Sequence, residues 1–99
     1  MSRPKFVMFK MGGCAGCDQF FENGWQVLTS DPQFTNAFEC FVYYFDKKNP
    51  FNFSKFGNMV REVPFFAIKF SNGNWKGLGT FKENRSPQYI KQKTFQALR

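Results

Sequence analysis

Two cysteines separated by two residues lie where a strand passes into a helix, and this placement restricts the folds open to the chain. Lys5 to Met11 has the apolar character of a short buried strand, and Gly12-Gly13 interrupts it. From Cys14 to Leu28, large apolar residues recur at positions i, i+4 and i+7, the spacing of one helix face. The sequence therefore predicts a helix that begins at Cys14-Ala15-Gly16-Cys17, directly after the first strand.

Three prolines further along the chain carry helix-start signals. Asp31-Pro32, Asn49-Pro50 and Ser86-Pro87 each join a residue that caps helices to a proline at the first helical position. Asp31-Pro32 predicts a short helical turn, and the other two predict helices because apolar residues follow them at helical spacing. In the last helix the predicted apolar face consists of Ile90, Thr94, Ala97 and Leu98.

Three further segments have the composition of strands. Phe38 to Asp46 is aromatic and β-branched with almost no charge, which predicts a central strand covered on both faces. Phe65 to Phe70 and Trp75 to Phe81 flank Asn72-Gly73, a dipeptide typical of tight hairpin turns. These two segments are therefore predicted to pair as an antiparallel hairpin.

The predicted order of elements is β-α-β-α-β-β-α within a single domain spanning residues 1–99. A strand-helix-strand unit favours a right-handed parallel crossover, and the hairpin adds antiparallel strands. We therefore expect an α/β fold with a mixed central sheet and helices on both faces. No apolar run approaches the roughly 20 residues that a membrane span needs, and no secretory signal pattern is present, so we expect a cytoplasmic protein.

The start of the first helix is a chemically active position for a thiol. Unsatisfied backbone N–H groups and the positive end of the helix dipole stabilise a thiolate there, and the thiolate is the reactive form of cysteine. Cys17 is close enough in sequence to displace a group bound to the sulfur of Cys14. Gly13, Ala15 and Gly16 are small and leave room for a large substrate.

The cysteine pair alone leaves two other interpretations open. The first interpretation is half of a zinc site, and the second is a structural cysteine pair without turnover. Zinc needs four ligands, but the chain has no His and only one more cysteine, Cys40, so it cannot complete a Cys/His site by itself. We therefore expect no metal and no cofactor. Cys40 lies in the predicted central strand, where free cysteines are usually buried, and we interpret it as a core residue.

Val63-Pro64 is a second landmark because its proline opens a strand and does not follow a capping residue. Proline is tolerated there, since the first residue of a strand can lack its N–H. A cis bond at this point would leave the preceding backbone free to pair with an extended peptide. An ordinary trans proline at the edge of a sheet fits the sequence as well.

Taken together, these features resemble the thioredoxin family. The resemblance runs from about Phe6 to Leu98 and includes the CxxC motif at a helix start, Val63-Pro64 before a hairpin, Gly79 and a closing helix. It implies a thioredoxin-like fold in which Cys14 is the nucleophile and Cys17 the resolving thiol. It also implies a cis Val63-Pro64 bond, with Val63 backbone groups pairing to the substrate and Gly79 beside the same groove.

The sequence departs from the family at several motifs. Thioredoxins usually have Trp-Cys-Gly-Pro-Cys, whereas this chain has Gly13-Cys14-Ala15-Gly16-Cys17. Met8 replaces the buried Asp of the family, and Val42 falls near its buried Lys partner. Losing both charges together makes physical sense because an unpaired buried charge is costly. Glutaredoxin is a related possibility, but the Gly-Gly before its last helix is replaced by Gly79-Thr80-Phe81-Lys82.

We interpret the chain as an enzyme that reduces protein disulfides and is reset by a reductase or a small thiol, acting as a monomer. The alternatives are a glutathione-dependent reductase and a non-catalytic binding module. The net charge of +7 favours acidic partners through long-range attraction. Lys76 to Phe81 only weakly resembles an RNA-recognition motif, since Leu78 and Thr80 stand where aromatic residues should stack on bases. Nucleic acid is therefore not an expected partner.

Overall fold

A computed structural model of the chain describes residues 3–45, 48, 56 and 58–99. Four strands form one sheet in the order β2-β1-β3-β4, with β2 parallel to β1, β3 antiparallel to β1 and β4 antiparallel to β3. These strands are β1 (Lys5–Met11), β2 (Glu39–Phe45), β3 (Phe65–Lys69) and β4 (Trp75–Gly79). The mixed sheet and its helices confirm the predicted α/β class.

The first helical segment follows β1 as predicted, but it contains a turn that the sequence pattern did not reveal. It consists of α1 (Ala15–Phe20), a π-helical turn (Phe21–Trp25) and α2 (Gln26–Thr29). Gly24 lies in the π-helical turn, where an added Cβ atom would meet a ring atom of Phe20 at 2.4 Å. The glycine therefore gives the buried Phe20 ring room to pack directly against the helix backbone.

Two of the predicted capped helices are present. Helix α3 (Pro32–Ala37) begins after Asp31, whose carboxylate accepts a 3.0 Å hydrogen bond from the N–H of Gln33. Helix α4 (Pro87–Gln96) begins after Ser86, whose hydroxyl accepts a hydrogen bond from a backbone N–H of the first turn. The start of the helix predicted from Asn49-Pro50 lies outside the described residues.

Among the strands that the structure describes, β2 is an edge strand, which corrects the prediction that Phe38 to Asp46 forms a covered central strand. Its outward-facing Phe41 and Tyr44 are 46% and 61% exposed. The central position belongs to β1, which has a neighbour on each side. Aromatic content therefore did not reveal the strand's place in the sheet, because strand order depends on pairing between distant segments.

The four helices of the described residues pack against one face of the sheet, and the core between them is built largely from phenylalanine. Phe6 of β1 is fully buried there and contacts four aromatic rings at centroid distances of 5.1 to 6.4 Å. These rings belong to Trp25, Phe34, Phe38 and Phe66. On α4, Ile90 and Thr94 are buried as predicted, whereas Leu98 lies beyond the end of the helix and is 40% exposed.

The hairpin of β3 and β4 turns at Gly73, which has a φ of +91°. Strand β4 ends at Gly79, two residues before the predicted end. Gly79 has a φ of +104° and Phe81 a φ of +54°, values that an extended strand does not adopt. Within the described part of the chain, no helix is both long and apolar enough to cross a membrane.

Candidate active site

Cys14 is the N-cap residue of α1, so its sulfur lies among the free N–H groups at the helix start. The N–H of Cys17 donates to the Cys14 sulfur over 3.1 Å. The carbonyl oxygen of Cys14 accepts the first helical hydrogen bond, 3.1 Å from the N–H of Asp18. Because a donor and the positive end of the helix dipole both face this sulfur, they stabilise its negatively charged form.

The two cysteines form a disulfide bond, and their exposure differs. Their Cα atoms lie 5.2 Å apart. Cys17 is completely buried beneath the first helical turn, whereas Cys14 is only half-buried. A molecule approaching from solvent therefore meets the sulfur of Cys14 before that of Cys17.

Val63 and Pro64 lie against the CxxC motif although they are about 50 residues away in sequence. The Val63–Pro64 peptide bond is cis. The carbonyl oxygen of Val63 is 3.7 Å from the Cys14 sulfur. The buried Pro64 ring lies 3.6 Å from the position that a Cβ atom on Gly16 would occupy. The Val63–Pro64 loop and the start of α1 therefore flank the partly exposed sulfur of Cys14.

Gly13 and Ala15 of the motif, and Gly79 on β4, lie at open positions. Gly13 and Ala15 are exposed, and Gly13 has a φ of +81°. Gly79 is opposite Phe66 in the sheet, on the strand next to the Val63–Pro64 loop. A Cβ atom on Gly79 would meet no atom within 4 Å. Open space therefore lies in front of this backbone position.

Lys10, near the end of β1, places a positive charge beside α1. Its side chain is only 7% exposed, and its ammonium lies 3.5 Å from the Asp18 carboxylate and 4.2 Å from the centre of the Phe21 ring. The side chain thus fills the space between the end of β1 and the first helix. Its burial was not evident from the sequence, where Lys10 only interrupts an apolar strand.

Arg85 is a neighbour of the motif that the sequence analysis missed. One terminal guanidinium nitrogen lies 3.1 Å from the position of a Cβ atom on Gly16. This contact joins residues almost 70 positions apart. Basic residues are spread along the whole chain, so no local pattern singled out Arg85.

In the described part of the chain, no cluster of three or more His, Cys, Asp or Glu side chains is arranged to hold a metal ion. The third cysteine, Cys40, lies on β2 and is half-buried. Its sulfur is 4.0 Å from the carbonyl oxygen of Phe38. Burial raises the pKa of the Cys40 thiol from an ordinary 9.0 to about 11, although Arg3 opposes the shift.

We expect Cys40 to be alkylated by iodoacetamide about 100-fold more slowly in the folded, reduced protein at pH 8 than in the urea-unfolded chain. The reason is that a pKa of about 11 lowers the thiolate fraction by roughly that factor relative to 9.0. Because the folded-state pKa is the higher one, the neutral thiol favours folding below pH 9, and this contribution is lost as the pH rises towards 11.

Mass spectrometry of peptides from the alkylated protein measures this rate, with Cys14 in the same sample as the reactive reference. Equal rates for Cys40 in the folded and unfolded chain would contradict the assignment of Cys40 as an unreactive thiol.

The whole fold is similar to that of a known protein. A solution structure of a thioredoxin from Thermus thermophilus superimposes with a TM-score of 0.57 and 18% sequence identity, covering 97% of this chain and 75% of that one. The fold is therefore thioredoxin-like, as the sequence resemblance implied. No protein-family model and no curated protein sequence matches the chain.

Proposed function

We propose that this protein is a thiol–disulfide oxidoreductase that reduces disulfide bonds in proteins. A thioredoxin-like fold with a close cysteine pair supports a redox function in general. The observation that carries the proposal is the unequal placement of the two sulfurs. Cys14 caps the helix and is partly exposed, whereas Cys17 is buried one helical turn behind it.

In the proposed reaction, the Cys14 thiolate attacks one sulfur of the substrate disulfide. The substrate S–S bond breaks, one substrate thiolate leaves, and a mixed disulfide joins Cys14 to the other substrate sulfur. Cys17 then loses its proton and attacks the Cys14 sulfur, releasing the second substrate thiol. Two electrons have passed to the substrate, and the protein is left with the Cys14–Cys17 disulfide.

The surroundings of Cys14 suit a protein substrate. Val63 is half-buried beside the sulfur, and we propose that its backbone groups pair with an extended substrate segment. The open space at Gly79 and the small, exposed residues Gly13 and Ala15 allow a bulky chain to approach, and Gly16 lets Arg85 and Pro64 lie close to the motif. We assign Pro64 to the wall of this binding groove, since its buried ring packs beside Gly16.

The site differs from a general thioredoxin in the chemistry around Cys17. Met8, which stands at the position of the family's buried acid, is fully buried in the same apolar core as Cys17. A methionine cannot accept the proton of Cys17. We therefore propose slower resolution than in a thioredoxin that has the acid.

We propose that the protein works as a cytoplasmic monomer and that a reductase or a small thiol reduces its disulfide after each turnover. Reduction of that disulfide consumes two electrons, so the reductant is oxidised in the same step.

An insulin-reduction assay with dithiothreitol tests the proposed function. The wild-type protein is expected to accelerate precipitation of the insulin B chain above the rate with dithiothreitol alone. The double variant Cys14→Ser/Cys17→Ser is expected to give no acceleration, and Cys40→Ser is the matched control that should behave as the wild type. Failure of correctly folded wild-type protein to accelerate the reaction would refute the proposal.

A further inference from the structure

A polar cleft of about 380 Å³ lies beside the CxxC motif, on the side of Gly16. One wall is the first helix, and the other is the loop that leads into α4. Its polar lining includes Gln19, Asn23, Lys82, Glu83, Asn84 and Arg85. A cleft of this size falls within the range that takes a small molecule or one or two residues of a peptide.

Arg85 is held in the cleft by a contact that leaves most of its donors free. Its Nε atom donates to the carbonyl oxygen of Thr80 over 2.9 Å. A terminal nitrogen of the same guanidinium lies against Gly16, at 3.1 Å from the site of an added Cβ atom. Within the described residues, no carboxylate forms an ion pair with Arg85. Its charge thus remains available next to the motif.

The other charged residues of the cleft are either ion-paired or exposed. Lys82 is a second cation, and it forms an exposed ion pair of 3.2 Å with Glu62. Glu83 also lines the cleft, but it is exposed and forms no ion pair among the described residues. Gln19 and Asn23 contribute neutral amide groups. Among the described residues of the lining, Arg85 is the cation without a paired carboxylate, and its guanidinium is therefore the group that favours a negatively charged ligand.

We propose that this cleft binds a carboxylate group of the disulfide substrate, with Arg85 as the specificity-determining residue. Guanidinium groups hold carboxylates through two parallel, charge-assisted hydrogen bonds. Because Gly16 of the CxxC motif lines the cleft, we infer that the carboxylate belongs to a group one or two residues from the attacked half-cystine. This inference rests on the proposed function and adds a preference for acidic substrates.

Such a carboxylate comes from an acidic side chain in a protein or from a small disulfide with an acid group. The test therefore uses two matched substrate pairs. The first consists of disulfide-linked peptides that differ only in Glu or Gln beside the half-cystine. The second is the disulfide of a two-carbon mercapto acid and that of its amide. Preference for the acid in one pair supports the inference and identifies that pair's class of substrate as the source. Preference in both pairs supports it and shows that the cleft accepts a carboxylate from either source.

For the wild type, kcat/KM for the preferred acidic substrate is expected to exceed that for its neutral partner by about tenfold, the usual effect of one charge-assisted hydrogen bond. In Arg85→Gln this ratio is expected to fall to about one. Arg99→Gln makes the same charge change at an exposed position outside the cleft lining, so it should keep the ratio. The ratio is the readout because Arg85 also lies near the motif and affects every substrate.

The outcomes separate this inference from the proposed function. If the wild type reduces none of the substrates, the proposed function fails. If it reduces acidic and neutral partners equally well, or if Arg85→Gln keeps the wild-type ratio, the carboxylate site fails and the function stands. If Arg85→Gln does not fold, the salt dependence of the wild-type preference for acidic substrates tests the carboxylate site instead. The acidic preference should shrink between 0.05 and 0.5 M NaCl because salt screens exposed charges, and an unchanged preference would overturn the inference.

Discussion

Replacing the buried cysteine, Cys17→Ser, is expected to produce a protein that attacks its substrate once and then stays covalently joined to it. Cys14 keeps its partly exposed position and the hydrogen bond from the N–H of residue 17, so the first step survives. Release then depends on dithiothreitol from solution and no longer on a thiol held one turn away. Steady-state insulin reduction should fall by about 100-fold or more. The reason is that the effective concentration of an oriented intramolecular thiol far exceeds the millimolar concentration of dithiothreitol in solution.

Non-reducing gel electrophoresis and intact mass measurement detect the trapped complex of Cys17→Ser with one insulin chain. Cys14→Ser is the matched control, because it makes the same change of one atom at the other cysteine. We expect no complex with that variant, since the remaining thiol is buried. A complex formed mainly by Cys14→Ser would reverse the assignment of nucleophile and resolving thiol.

Phe6→Ala is expected to lower the free energy of unfolding by about 3–5 kcal/mol, the usual cost of removing a buried phenylalanine ring. Phe6 is completely buried on the central strand and contacts rings from the first helical segment, from α3 and from β3. Its loss would leave a cavity where these elements meet. Since the free energy of unfolding of such domains is only about 5–15 kcal/mol, the loss of this ring removes a large share of the fold's stability.

Urea unfolding followed by tryptophan fluorescence measures this change. Phe41→Ala is the control, because it removes the same ring from the edge strand, where it is 46% exposed and contacts the Lys5 ammonium at 5.5 Å. That variant should lose less than about 1 kcal/mol. Equal losses for the two variants would mean that Phe6 is not the centre of the core.

The features that the sequence predicted correctly depend on neighbouring residues. Lys5–Met11 was predicted as a strand with the observed bounds. Asp31 and Ser86 were recognised as helix caps because a capping side chain bonds to the backbone two or three residues ahead. The break at Gly12-Gly13 and the helical spacing of apolar residues after it placed Cys14 at the start of a helix, so the main part of the candidate site was predictable.

The features that were missed depend on contacts between distant segments. Strand β2 was assigned to the centre of the sheet from its aromatic content, but its place at the edge follows from which strand pairs with β1. The contact of Arg85 with Gly16 likewise arises only when the loop before α4 folds back onto the first helix. Such contacts have no local sequence pattern.

The burial of Cys17 also limits how the proposed enzyme is regenerated. Since its sulfur is covered, a reductant has to attack the disulfide at Cys14, through the same opening that admits the substrate. The two molecules then exclude each other, and the protein must alternate between them in a ping-pong cycle. In this scheme, an abundant acidic substrate would slow its own reduction. It would bind to the oxidised protein and block the reductant from reaching the Cys14–Cys17 disulfide.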